Sequence, residues 1–271
     1  MKSSKLLPMI ALSVMFSAFA GCAETPKPTS APTTPKPMFV PPEPTFTPHE
    51  SAAGIPDRLT MDNEVLVDFS KGIPKDFYWA DGYSNGGVFN CTWRKRSAAI
   101  EDGVMHMSVV RERNGYAGAE YRTDNTYSYG FYSVFMKAAD CSGVISSFFT
   151  YANQPVWDEI DIEFLGKDPL RIQFNYYTGG VGNHEYDFEL GFDASAEFHE
   201  YAFDWQPDSI VWYVDGKAVY RATESIPSHP MQLMMNVWNC KGADAWSGAL
   251  DPDSLPATAE YKWFAYSPNL Q

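Results

Sequence analysis

Positive charge is scarce in this chain of 271 residues: 20 Lys and Arg stand against 34 Asp and Glu, for a formal net charge of −14. A surface this acidic repels phosphate backbones and anionic headgroups, and no basic run offsets it, so nucleic acid is excluded as a partner. Cysteine is sparse too. Cys22, Cys91, Cys141 and Cys240 form no C-x-x-C pair and stand far from any His pair, which argues against a zinc site. The five histidines accompany no Ser or Cys motif that would suggest a nucleophilic triad, and His106, His184 and His199 read as structural or surface residues. Long amphipathic helical patterns are absent. The longest uncharged apolar run, Leu6 to Ala20, has 15 residues and is too short to span a bilayer as a helix.

What the chain does have is three regions of different composition. Lys2 and Lys5 precede that apolar run, and Phe19-Ala20-Gly21-Cys22 resembles the lipobox of bacterial lipoproteins, with Phe19 where Leu is usual. Residues 1–22 therefore read as an export leader ending at a lipidated Cys22, which implies an exported protein held at the cell surface. An ordinary secretory signal is the alternative. Without Lys2 and Lys5, 18 basic groups face 34 acidic ones, a net charge near −16. Residues 23–56 form a Pro- and Thr-rich linker: Glu24 to Pro48 alone holds nine prolines and six threonines, a composition that runs extended and builds no core. Residues 57–271 carry all eight tryptophans and are the folded unit, which is expected to act as a monomer. If Cys22 is acylated, three cysteines remain, and sequence does not say which two would pair.

Within the folded unit, period-2 hydrophobic alternation over short runs predicts strands near 65–69, 104–110, 130–138, 144–151, 157–164, 171–177, 209–214 and 231–238. Asp215-Gly216 suits the positive φ angles of a tight hairpin turn. Many short strands without long helices predict an all-β fold, a two-sheet antiparallel β-sandwich of jelly-roll type with a concave substrate cleft.

The sharpest local signal is Trp157-Asp158-Glu159-Ile160-Asp161-Ile162-Glu163-Phe164. On a strand, Trp157, Glu159, Asp161 and Glu163 share one face, and Ile160, Ile162 and Phe164 share the other with Asp158. Acids are poor strand formers and same-face acids repel, so the pattern opposes local stability and points to a site. A solvated strand face is the bland reading. Calcium is a second, but a straight strand presents too few of the 6–8 oxygens that ion takes. Paired-carboxylate glycoside hydrolysis is the third. Its geometry is demanding: Cα atoms four residues apart on a strand are separated by about 13 Å, whereas retaining enzymes bring their carboxyl groups to about 5–5.5 Å.

The run WDEIDIEFLGK from Trp157, with QFNYY from Gln173 and GVGNHE from Gly180, closely resembles bacterial lichenases of glycoside hydrolase family 16, which are endo-β-1,3-1,4-glucanases. The likeness extends over DGYSNGGVFNCTW from Asp81, GAEYRT from Gly118, SSFFTY from Ser146, YAFDWQP from Tyr201, WYVDG from Trp212 and MMNVWN from Met234. It implies that Glu159 is the nucleophile, Glu163 the general acid and base, and Asp161 the supporting carboxylate, with retention of configuration and no cofactor for catalysis. It also places Tyr83, Asn85, Phe89, Glu120, Arg122, Phe149, Tyr151, Trp157, Asn175, Tyr177, Glu185, Asn236 and Trp238 along a cleft for a neutral β-glucan. Aromatic faces there would cover sugar rings while amides and charges read hydroxyls. Taken alone, Phe89, Phe149 and Tyr177 read as core aromatics, and Arg122 as a partner for Glu120.

Two departures stand out. The family's usual partner for the cysteine matching Cys91 falls at Gly118, so that disulfide is missing. An aspartate that ligates a structural calcium in many members corresponds to Lys262, and an amine cannot replace a carboxylate ligand, so calcium is not expected. Within the family, a laminarinase or a transglycosylase is the alternative; a binding-only carbohydrate module is the alternative outside it.

Overall fold

The computed structural model describes residues 65–268. The leader, Cys22, the linker and residues 57–64 lie outside the described residues.

Sixteen strands follow one another: β1 (Val65–Asp68), β2 (Phe77–Trp79), β3 (Thr92–Trp93), β4 (Ala98–Glu101), β5 (Val104–Glu112), β6 (Gly115–Tyr127), β7 (Gly130–Lys137) and β8 (Val144–Ala152) form the first half. The second half is β9 (Asp158–Leu165), β10 (Arg171–Tyr177), β11 (Tyr186–Glu189), β12 (His199–Gln206), β13 (Ser209–Val214), β14 (Lys217–Ala222), β15 (Met231–Asn239) and β16 (Ala257–Ser267). Among the described residues the one α-helix is a single turn, Asp244–Ser247. All predicted strands are present with small shifts at their ends. Phe69 belongs to a 3-10 turn rather than to β1, and β9 begins at Asp158 rather than Trp157. The hairpin turn has positive φ at both Asp215 and Gly216.

Two antiparallel layers result. The front layer runs β11-β10-β9-β8-β15-β6, with β2 beyond β6, and the back layer runs β5-β16-β7-β12-β13-β14. The β5–β6 hairpin joins the layers, which makes the hydrogen-bonded path continuous. The core between them is aromatic. Tyr132 stacks on Phe203 at 4.8 Å, Phe174 on Trp212 at 5.6 Å, and Phe148 lies 6.3 Å from Phe264. Each such ring removed from water stabilises the fold by roughly 1.5–3 kcal/mol.

Alternation along β9 is what sets the acids on one face. Ile160 and Ile162 are wholly buried in that core and Phe164 nearly so, which forces Glu159, Asp161 and Glu163 onto the opposite, concave face of the front layer. The back layer also reaches this strand directly, because Trp212 donates its Nε1–H to the Asp161 carbonyl at 3.2 Å.

Cys91, Cys141 and Cys240 are all free and buried. Gly118 packs directly on the first of them: a Cβ built there would lie 2.9 Å from Cys91 Sγ and 2.7 Å from the Val237 carbonyl. His184 stacks on Tyr176 and its Nδ1 donates to the Tyr176 carbonyl, while His199 lies 2.8 Å from Asp215. Both are structural.

Candidate active site

The acids of β9 lie in register with the readers on neighbouring strands. Glu159 is opposite Tyr151 on β8 and Tyr177 on β10; Asp161 is opposite Phe149 and Asn175; Glu163 is opposite Ser147 and Gln173. On β15, Asn236 aligns with Ser147 and, on its other side, with Glu120 of β6. A pocket on this face is lined by Asn85, Phe89, Ser147, Phe149, Tyr151, Trp157, the three acids, Asn236 and Trp238. Ten of these were legible beforehand, and Ser147, whose hydroxyl bonds the Asn236 side chain, was not.

The remaining candidates surround this pocket rather than line it. Tyr177 stacks on Trp157 at 5.5 Å. Asn175 is buried beside Asp161, and its Oδ1 accepts from the Tyr176 N–H. Glu185 is exposed, yet close enough for its charge to act on Asp161 and Glu163. Glu120 is fully buried, with Tyr83 and Arg122 as electrostatic neighbours, and Arg122 sits 4.5 Å above the Tyr78 ring. Burial lifts Glu120 to about 7 despite the pull of Arg122. Several candidates combine support with access. Asn85 accepts from Trp93 Nε1 at 2.9 Å, and Phe89 stacks on Trp238 at 4.1 Å. Phe89 thus packs on Trp238 and also lines the pocket.

Trp157 reaches the site by a route that strand parity does not describe. It stands just outside β9 with φ of +43°, a left-handed conformation that costs an indole-bearing residue about 1–3 kcal/mol. One neighbour, Gly180, holds it there. Gly180 donates its N–H to the Trp157 carbonyl at 2.8 Å, and a Cβ at Gly180 would come within 3.0 Å of the indole ring. So placed, Trp157 Nε1–H donates to Glu159 Oε2 at 3.0 Å.

Asp158, on the opposite face, fastens the same corner and was not singled out from sequence. Its carboxylate accepts from the backbone N–H groups of Gly179, Ser228 and His229 and lies 2.9 Å from His229 Nδ1. Burial would raise its pKa, but these donors, Gly179 foremost, hold it below the usual carboxylate value.

The three front-face acids are shifted the other way. Burial pushes Glu159 up to about 7, with hydrogen bonds from Trp157 and Asp161 restraining the rise. Glu163 rises further, to about 8, through burial and the charges of Glu159 and Glu185. Asp161 is raised well above its ordinary value by burial and by the charges of Glu159 and Glu163 on either side of it, and it donates its proton to Glu159. Because Glu159 is raised less than Glu163, it gives up its proton first, steadied by the proton that Asp161 directs at it, while Glu163 keeps its own. One carboxylate and one carboxylic acid on a single strand is the division of labour that two-carboxylate glycoside hydrolysis requires.

Residues 85–263 match the family described as Glycosyl hydrolases family 16. The chain belongs to that family. Among its relatives, the beta-glucanase of Paenibacillus macerans is 54% identical over 195 residues, 70% of this chain and 82% of that one. Two solved structures superpose with a TM-score of 0.73. One is a beta-1,3-1,4-glucanase (lichenase) from a mouse hindgut metagenome, 48% identical, covering 76% of this chain and 99% of the other. The second is the Bacillus licheniformis beta-glucanase, 46% identical, covering 77% and 100%.

Proposed function

We infer that this family 16 hydrolase is a retaining endo-β-1,3-1,4-glucanase, cutting β-1,4 bonds next to β-1,3-linked glucose in mixed-linkage β-glucan. The row Glu159–Asp161–Glu163 beneath an aromatic-walled cleft carries this reading, and the beta-glucanase likeness over nearly the whole described domain supports the substrate. In the first step Glu159 attacks the anomeric carbon as Glu163 gives its proton to the departing glycosidic oxygen, leaving a glycosyl ester on Glu159. In the second, Glu163, now ionised, takes a proton from water as its oxygen attacks the same carbon, and Glu159 leaves as carboxylate. Two inversions give net retention. Asp161 keeps a proton directed at Glu159 and so stabilises the carboxylate as it is expelled. No step in this route requires a metal.

The test is reducing-end release from mixed-linkage β-glucan, laminarin, carboxymethylcellulose and xyloglucan in parallel. Fast cleavage of mixed-linkage glucan alone is the expected result. Preference for laminarin or xyloglucan would overturn the substrate assignment, and binding without release would favour a carbohydrate-binding module.

The same reading includes export and anchoring through an acylated Cys22, supported by Lys2, Lys5 and the uncharged run between them and the cysteine. Labelled fatty acid should enter the full chain in a bacterial host and be lost in Cys22→Ser; labelling that persists would sink the anchor. A structural calcium is not part of the proposal. Lys262 rests its ammonium 4.3 Å above the Phe198 ring and 5.4 Å above Phe135, so the residue that would supply a carboxylate supplies a cation bound to aromatic faces instead.

A further inference from the structure

The back layer has a second apolar face, turned away from the core. Tyr132, Val134 and Met136 of β7 point into the core, so alternation sends Phe131, Ser133 and Phe135 outward, together with their cross-strand neighbours Trp263 and Ala265 on β16 and Ala202 on β12. Register makes this face a trough. Ala265, Ser133 and Ala202 stand side by side across three strands, and Tyr213 of β13 ends the row. Trp263 stacks on Phe135 at 5.7 Å along one bank, and Phe131 lies 5.6 Å from Tyr213 along the other. A solvated sheet face would be polar and open, yet Phe131, Ser133, Ala202, Trp263 and Ala265 are each no more than 2% exposed. Among the described apolar residues outside this cluster, only Phe135 and Tyr213 pack against it.

Two polar groups sit in the trough without a partner among the described residues: the Ser133 hydroxyl on its floor and the Trp263 indole N–H on its bank. Both can donate, and buried donors take acceptors. The complementary ligand is rich in carbonyl oxygens, poor in N–H groups and apolar enough to lie between aromatic rings. A proline-rich strand in polyproline form has that make-up, because each proline supplies a carbonyl and an apolar ring but no N–H.

We propose that this trough docks the chain's own Pro- and Thr-rich linker, through the stretch from Pro37 to Pro48. That stretch holds five of the nine prolines and both linker aromatics, Phe39 and Phe46. Reach allows it. Sixteen residues separate Pro48 from Val65 and can extend over about 50 Å, whereas the trough crosses three strand spacings, about 14 Å. The point of entry is right as well, because Val65 pairs with Tyr266, beside Ser267 at the end of the outward row of β16. A linker fastened to the back layer turns the catalytic face away from whatever holds the linker's far end. On the anchoring reading above, the cleft is then presented outward, toward polymer, rather than against the surface that holds Cys22.

The test places a photo-cross-linker, benzoylphenylalanine, at Phe39 or at Phe46 of the full-length protein and reads the linked peptides by mass spectrometry. Cross-links within one chain to the peptides that hold Phe131, Ala202 or Tyr213 are the expected result. Their yield should fall about fivefold in Trp263→Phe, which keeps an aromatic ring but loses the N–H, the factor that one hydrogen bond is worth. Tyr213→Ala, at the half-buried bank, should lower it similarly, and far-UV circular dichroism checks the fold of each variant. Cross-links scattered over both layers, or none to the back layer, overturn the proposal whatever the variants do. Links between two chains would assign the trough to a second copy, and a yield unchanged in both variants would mean that the linker passes near the trough without docking; each of these overturns it too.

Discussion

Replacing Glu159 by Gln is expected to lower turnover of mixed-linkage glucan by on the order of 10⁴-fold or more while leaving affinity for the polymer nearly intact. The amide keeps the shape of the side chain and can still meet Trp157 Nε1 through its carbonyl oxygen, so the cleft is preserved. It cannot form the glycosyl ester, and losses of this size are typical when a nucleophile is removed and only binding and electrostatic help remain. Reducing-end release and affinity electrophoresis on the same preparation separate the two effects. Near-wild-type release would remove Glu159 from the mechanism; loss of binding and activity together would make it a structural residue.

Glu163→Gln should give a different pattern. Hydrolysis of the polymer should fall about 10²–10⁴-fold, because its leaving oxygen needs a proton. An activated aryl glycoside should still form the intermediate, and azide should restore turnover by attacking where water lacks its base. The pH profile should change as well. Wild-type kcat/KM is expected to fall below about pH 7 as Glu159 gains a proton and above about pH 8 as Glu163 loses one, and the variant should lack the alkaline fall.

Stability at high pH should change too, and its sign is opposite to that of activity. Glu163 holds its proton to about 8 in the folded protein, against 4.5 for an ordinary glutamate, so between those values the unfolded chain ionises more readily and stability drains away as pH rises. Glutamine has no such loss. The variant should gain roughly 1–3 kcal/mol over wild type near pH 8, with the difference gone below about pH 4.5. Chemical denaturation at the two pH values measures it, and a variant less stable at both would show that the buried acid stabilises the fold after all.

The readability of the site in the sequence depended on periodicity. Ile160 and Ile162 sit on one face and three acids on the other, so a two-residue alternation was enough to place the catalytic row, and the same parity placed Asn236 with Trp238. Parity failed at Trp157, which shares the acidic face through a left-handed turn outside the strand. Long-range placement was not legible at all. Asp158 looks like a stray acid on a core face until its three backbone donors arrive from segments 21 to 71 residues away. Strands β6 and β16, 13 and 11 residues long, escaped the pattern for a related reason. Each changes neighbours along its length, β16 from β5 to β1 and β6 from β5 to β15 and β2, so neither keeps one simple alternation from end to end.

The placement of the last two strands bears on how this chain comes into being. β15 is the central plank of the front layer, between β8 and β6, and β16 holds the same place in the back layer, between β5 and β7. A growing chain that has emerged as far as β14 therefore owns both halves of each layer and the middle of neither. It cannot close its core until β15 and β16 have been made, and pairing across such long separations is slow in any case. On the export reading proposed above, such late closure would keep a translocating chain unfolded until β15 and β16 are both available.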